Sequence, residues 1–313
     1  MDQFYDKQGA AIALDKEARE RRALAAENYN PVFQHLADLE LDYATVSERG
    51  ACRKSWKLCI PCEEDGYLDE VVFAVQGILT NVSLVPVTGE KLEARRAIRL
   101  GQRAEISGLN SQTFEDAIAK LEASHDKFQQ FFGGQSIQRL VMQNGHFGRA
   151  LATSNRIFTM RSDYPHEQST SFEQGVDPLG VLERMSTREI FHGPDNVVKY
   201  YRKLSDRSDG ITFPSWFPGA FKIGDIVELQ ASLVVVQTAN GGIKMTCRLH
   251  ALTLLDDSYT KEAAIRRAAS KKAPTATTAV RKRIEHPGDV WKKTKKKDAA
   301  DQEHLIIPHK PTY

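Results

Sequence analysis

The residue pattern from 225 to 255 constrains the fold more than any other stretch. Val227, Leu229, Ala231, Leu233 and Val235 alternate with Glu228, Gln230, Ser232 and Val234. Asn240, Gly241 and Gly242 interrupt, and then Ile243, Met245, Cys247, Leu249 and Ala251 alternate with Lys244, Thr246, Arg248 and His250. Successive side chains of a strand point to opposite faces, so this period of two predicts two long half-buried strands joined as a hairpin. Both apolar sets occupy odd positions, so cross-strand partners must sum to an even number if the sets are to share one face, as when 235 lies opposite 247. A two-residue Asn240-Gly241 turn gives an odd sum and sets Leu233 beside Arg248. The reading is therefore a three-residue loop of Asn240, Gly241 and Gly242, with glycine supplying a positive φ. The outer face of the hairpin then carries Lys244, Thr246, Arg248 and His250.

Charge becomes informative only when it is divided by position. The 313 residues hold 43 Lys and Arg against 41 Asp and Glu, a formal net charge of +2. Between Lys261 and Lys297, however, stand 13 basic residues and three acids, a local charge of +10, and residues 1 to 260 carry −6. The chain reads as a mildly acidic body with a strongly basic tail. A short helix over about 260 to 270 should lead into mostly disordered chain, because Ala273, Pro274, Thr275, Ala276, Thr277 and Thr278 have too little large apolar surface to offset their ordering entropy. Arg281, Lys282 and Arg283, then Lys292, Lys293, Lys295, Lys296 and Lys297, form two basic clusters. They resemble a bipartite nuclear-import signal, which implies an import receptor as partner and a nuclear location. The same charges would neutralise nucleic-acid phosphates. A solubilising tail without a specific partner is the plain alternative.

The body divides into segments. Residues 10 to 28 read as a helix rich in Ala, Glu, Arg and Leu, with an apolar face thin enough that it should dock loosely or project. Leu39, Leu41 and Tyr43 alternate with Glu40 and Asp42 as in a strand, and residues 57 to 60 suggest another. Residues 71 to 87 read either as a hairpin or as one long strand bent at Gly77. A helix over 114 to 131 sets Phe114, Ile118, Leu121, Phe128 and Phe132 on one stripe, stopped by Gly133 and Gly134, with His125 on the same stripe as a packed, hydrogen-bonded residue. Asp177 before Pro178, and Asp195 before Val197, Val198, Tyr201 and Leu204, read as N-caps of two shorter helices. The resulting division is an N-terminal helix in 1–32, an α+β body in 33–165, a helical connector in 166–210, a β-hairpin part in 211–260 and the basic tail in 261–313.

No residue constellation names a reaction. Phosphate loops, nucleophile elbows, zinc-protease helices and dinucleotide fingerprints are all missing from the sequence, so a non-enzymatic protein is the expectation. Cys52, Cys59 and Cys62 form the tightest cysteine cluster, which is readable as free thiols, as part of a zinc site lacking its fourth ligand, or as a redox pair at 59 and 62. No other cofactor is implied. Asp256 and Asp257, after Leu254 and Leu255, could hold Mg²⁺ in a metal-dependent nuclease, or could simply open the next helix. Phe213, Trp216, Phe217 and Phe221 stand among Pro214, Pro218 and Gly219, either as an apolar plug or, for Trp216 and Phe217, as rings available to bases. Met1 to Lys7 show no apolar run behind a basic start, and no stretch reaches the 18 apolar residues of a membrane span, so neither secretion nor a membrane partner is expected.

The run Phe221-Lys222-Ile223-Gly224-Asp225-Ile226-Val227-Glu228-Leu229-Gln230, with the hairpin and Leu254-Leu255-Asp256 behind it, resembles a segment of multicopy proteins of basidiomycete fungi. That resemblance spans some 40 residues, implies a nuclear-genome, mobile-element context and assigns no catalytic residue. The Gly-Asp-Ile-Val-Glu opening of a strand is also similar to small barrels of the OB type. The expectation is an α+β fold, with a small β-barrel or curled antiparallel sheet, flanking helices and a disordered basic C-terminal tail. Its expected function is nuclear nucleic-acid binding through phosphates, using Lys244, Arg248 and Trp216 on the folded surface together with the tail. The alternatives are a protein-interaction module whose tail serves import, and the metal nuclease.

Overall fold

The computed structural model describes residues 1–272 apart from 63–65, 87–96, 141, 146, 174, 207–209 and 239. The chain divides into a unit Met1–Ala268 and a second unit Ala269–Tyr313. The tail clusters Arg281 to Arg283 and Lys292 to Lys297 lie outside the described residues.

Five strands close a barrel: β1 (Val72–Ser83), β2 (Gly101–Ser107), β3 (Gly148–Arg156), β4 (Ile226–Gln237) and β5 (Ile243–Asp256). β1 pairs with β2, β2 with β3, and β4 with both β5 and β1, all antiparallel, while β3 meets β5 in parallel at Ser154 and Arg248. The circuit β1-β2-β3-β5-β4-β1 has the connectivity of the OB-type small barrel. Closure removes the open edges of a sheet and lets a short set of apolar side chains fill the interior. Those side chains include Phe73, Val75, Ala104, Ile106, Leu151, Val227, Leu229, Leu233, Met245, Cys247 and Leu249. Among the described residues four helices, α1 (Lys7–Glu27), α2 (Gln112–Phe131), α3 (Val181–Met185) and α4 (Ser258–Lys272), accompany the sheet, so the class is α+β. Among the described residues no helix is long and apolar enough to cross a membrane.

The hairpin forms as an even-sum pair of strands, but its register is one pair away from 235 opposite 247. Val235 faces Met245 and Leu233 faces Cys247. Thr238 N–H donates to the Gly242 carbonyl at 2.7 Å, and Gly241 takes the positive φ of +79°. The turn thus closes inside Gly242 rather than beyond it. Further along, Gln230 faces Ala251 while Ala231 faces Leu249, which leaves His250 as an extra residue in β5. This bulge moves the inward set of β5 from Met245, Cys247 and Leu249 to Leu252 and Leu254. Ala251 is still buried, but outside that interior cluster.

Residues 72–83 are one long strand. Gly77 points inward, where a Cβ would lie 2.8 Å from Ile106, so the glycine makes room for an isoleucine of β2. The register shift of β1 falls between Leu79 and Asn81, not at Gly77. α2 buries Phe114, Ile118, Leu121, His125 and Phe128 against the barrel core, and His125 Nε2 lies 3.2 Å from the Ile137 carbonyl. α1 docks rather than projects. Ala10 and Leu14 join Tyr5, Ile78, Ile226, Leu255 and Ala263 in a second apolar cluster. Arg21 of the same helix forks onto Glu228 with nitrogen–oxygen distances of 2.7 and 2.9 Å. Glu228 is 1% exposed and also accepts from Gln76. Burial alone would raise its pKa, but Arg21 outweighs it and keeps the carboxyl below its ordinary range.

Two sequence readings are corrected. Leu39, Leu41 and Tyr43 belong to no strand: a 3-10 turn at Leu36–Asp38 buries Leu39, and the next strand is Thr45–Arg49. In place of a helical connector over 166–210, the described chain is mostly turns and irregular segments with short strands, the five-residue α3 and a 3-10 turn at Pro194–Asn196. Asp195 sits in that turn, and the residues after it form a strand, Lys199–Arg202, parallel to β5. Val197, Val198, Tyr200 and Tyr201 are β-branched or aromatic, which favours extended chain over helix.

Candidate nucleic-acid interface

Alternation along β2 and β3 determines which side chains leave the barrel. Ala104 and Ile106 face inward, so Arg103 faces out; Leu151 faces inward, so Ser154 and Arg156 face out. Arg103 lies opposite Ser154 across the β2–β3 pairing, and Ser154 opposite Arg248 across the β3–β5 contact. This row forms the floor of a cleft of about 550 Å³. Its cations are Arg53, Lys54, Arg99, Arg103, Arg156 and Arg248, against the acids Asp163, Glu167 and Asp195.

The cations divide into two groups. Lys54 is paired with Glu48 at 2.7 Å and Arg248 with Asp195 at 2.9 Å. Arg53, Arg99, Arg103 and Arg156 are exposed and make no ion pair or side-chain hydrogen bond among the described residues. Protein packed around the Arg156 guanidinium, together with the charge of Arg248, pushes its pKa below the usual arginine range. An anion bound there would relieve that repulsion. Two of the three acids are already engaged. Asp163 is buried and accepts the Arg53 N–H at 3.1 Å, while Asp195 belongs to a network behind the cleft.

That network is centred on Lys57, which is 2% exposed. Its Nζ donates to Glu70 at 2.6 Å and to both oxygens of Asp195 at 3.0 Å. Ser232 donates to Glu70, and His250 Nε2 lies 2.8 Å from the Ser232 hydroxyl. His250 is the extra residue of the β5 bulge. Burial opposes ionisation of Glu70, yet the neighbouring His250 at 3.6 Å and the charge of Lys57 more than offset it, so its pKa falls far below the carboxylate range. Asp195 is lowered too, with burial outweighed by Arg248 and Lys57. A buried lysine shared by two carboxylates thus fixes the wall from which Arg248 reaches the cleft.

Of the folded-surface residues expected from sequence, the cleft includes Arg248. Lys244 is half-buried near the start of β5, beside the short strand Ile137–Gln138, and does not line it. Trp216 also lies elsewhere: it packs partly against the barrel core, with Arg202 4.6 Å from its ring centre and its indole nitrogen buried without a hydrogen-bond partner among the described residues. Arg53, Arg99, Arg103 and Arg156 escaped sequence reading because they come from separate segments. The available signal was the alternation Arg103-Ala104-Glu105-Ile106 between Gly101 and Gly108.

The other candidate sites are placed as follows. Cys52 is exposed, Cys62 is half-buried, and Cys59 and Cys247 are buried. Among the described residues no group of three or more His, Cys, Asp or Glu is placed to hold a metal ion. Asp256 accepts the Ser258 N–H at 2.8 Å, opening α4, and Asp257 pairs with Lys261 at 2.8 Å and Arg202 at 3.7 Å.

No protein-family model matches the chain, and no curated protein matches its sequence. Among solved structures, a similarity is found to the crystal structure of gp2.5, a single-stranded DNA binding protein encoded by bacteriophage T7. It has 12% identity and a TM-score of 0.34, over 59% of this chain and 91% of that one.

Proposed function

We propose that the protein binds nucleic acid through its phosphate backbone, in the cleft across β2, β3 and β5. The observation that carries this reading is the set Arg53, Arg99, Arg103 and Arg156: four exposed arginines gathered around one concavity without an ion pair among the described residues. Gathering like charges is unfavourable unless a polyanion answers them, and guanidinium groups suit phosphate oxygens in both geometry and charge. Barrels of this connectivity bind oligonucleotides or oligosaccharides on the face of their second and third strands, which is the face the arginines occupy. Part of the acidic charge near the cleft is also answered: Asp195 is paired with Arg248 and Lys57, and Glu70, behind the cleft, with Lys57. The basic clusters of the tail, Arg281 to Arg283 and Lys292 to Lys297, add further phosphate contacts and serve nuclear import.

The test is fluorescence anisotropy with single- and double-stranded DNA across a salt series. It compares the full chain, an Arg103→Ala/Arg156→Ala variant and a chain lacking 273–313. For a single strand each phosphate contact contributes about 0.7 to the log–log salt slope. Loss of two arginines should therefore weaken binding and reduce the slope by about 1.4. An unchanged slope in the double variant would show that the cleft is not the site.

A further inference from the structure

We infer that the cleft selects single strands, with an unpaired base against the ring of Tyr164 while the backbone follows Arg103 and Arg156; this rests on the nucleic-acid reading above. Tyr164 is half-buried in the cleft wall and is firmly positioned. Its hydroxyl lies 3.2 Å from Ser55 Oγ. The preceding residue, Asp163, is buried and accepts the Ala51 N–H on its carbonyl at 2.8 Å and the Arg53 N–H on its carboxylate at 3.1 Å. The Arg49 guanidinium stands 6.0 Å from the ring centre. A ring held in this way loses little freedom on binding, so most of the stacking free energy is realised.

The rest of the cleft suits a strand whose bases are free. Asn81, Ser83, Ser154 and Gln237 are exposed along it and offer donors and acceptors to base edges and sugars. A volume of about 550 Å³ falls among pockets that enclose small organic groups, the scale of a nucleotide or two. A duplex keeps its base faces stacked on one another and turns a convex row of phosphates outward. It could meet the arginines but not the ring. Stacking tolerates any base, because every base has a π-face, so the selectivity is for single-strandedness rather than for sequence.

Three probes separate the contributions: a short thymidine strand, the same strand with its bases removed, and a duplex of equal length. Binding of the full chain is followed by anisotropy. The intact strand should bind at least about 5-fold more tightly than either of the others. Tyr164→Ala should lower affinity for the intact strand by about 5- to 150-fold, the range of one lost stack, and leave the base-free strand unchanged. Tyr164→Phe keeps the ring and should restore binding. Equal affinity for the intact and base-free strands, a preference for duplex, or an unaffected Tyr164→Ala variant overturns the inference. If none of the probes binds, or if Arg103→Ala/Arg156→Ala leaves their binding untouched, the nucleic-acid reading itself falls.

Discussion

Replacing Lys57 with Met removes the cation shared by Glu70 and Asp195 while nearly conserving the length of the side chain. Lys57 is 2% exposed and its two partners lie at 2.6 and 3.0 Å, so the change leaves carboxylates uncompensated in a largely buried place. Breaking a buried ion pair costs about 3–5 kcal/mol. Here Asp195 keeps Arg248 and Glu70 keeps His250 and Ser232, which puts the expected loss near the low end, about 3 kcal/mol. In a domain of this size that lowers Tm by about 6–12 °C. The loss must also depend on pH in a definite direction. Glu70 and Asp195 have depressed pKa values in the folded protein, so the stability they confer is present above the ordinary carboxylate range and is lost as pH falls through their folded values. In the variant those values rise, and the folded variant takes up protons that the parent refuses. Each unit of rise removes about 1.4 kcal/mol of the difference once the carboxyl is protonated. Urea unfolding of both proteins, followed by tryptophan fluorescence at pH 7 and pH 4, should show a gap that narrows toward acid. A gap under about 1 kcal/mol at pH 7, or one that widens at pH 4, would show that Lys57 does not hold the two carboxylates in their charged form.

Other outcomes follow from packing and burial. Gly77→Ala should destabilise by about 1–3 kcal/mol, because the new methyl meets Ile106 inside the barrel at 2.8 Å, and thermal unfolding measures the loss. Burial pushes the Cys247 thiol up to about 12 and that of Cys59 to about 11, whereas Cys52 is exposed. Alkylation at about pH 8, read by mass spectrometry, should therefore label Cys52 in the native protein and reach Cys59 and Cys247 only after denaturation.

Sequence reveals most where one period persists. The strands at 226–237 and 243–256 were legible because each side of the hairpin repeats its alternation, and the even-sum parity followed from the odd apolar sets. The register slip by one pair was not legible, since Asn240, Gly241 and Gly242 all tolerate turn conformations and only the folded hairpin chooses Gly241. Three alternating residues at 39, 41 and 43 were too few to distinguish a strand from a turn that buries one leucine. Asp195 shows the same weakness at a site: an aspartate before apolar residues looks like a cap, and its partners Lys57 and Arg248 are 138 and 53 residues away. The cleft is illegible for the same reason. Its arginines sit on the loop at 53, the approach to β2, and strands β2 and β3, and only barrel closure gathers them.

On the proposed function a polyanionic strand lies in the cleft rather than merely on the tail. Ultraviolet cross-linking of the full chain to a thymidine strand, with mass spectrometry of the adducts, tests it most directly. Adducts are expected on the peptides that carry Arg103, Arg156 and Tyr164. Adducts confined to residues 273–313, or to the face covered by α1, would contradict it.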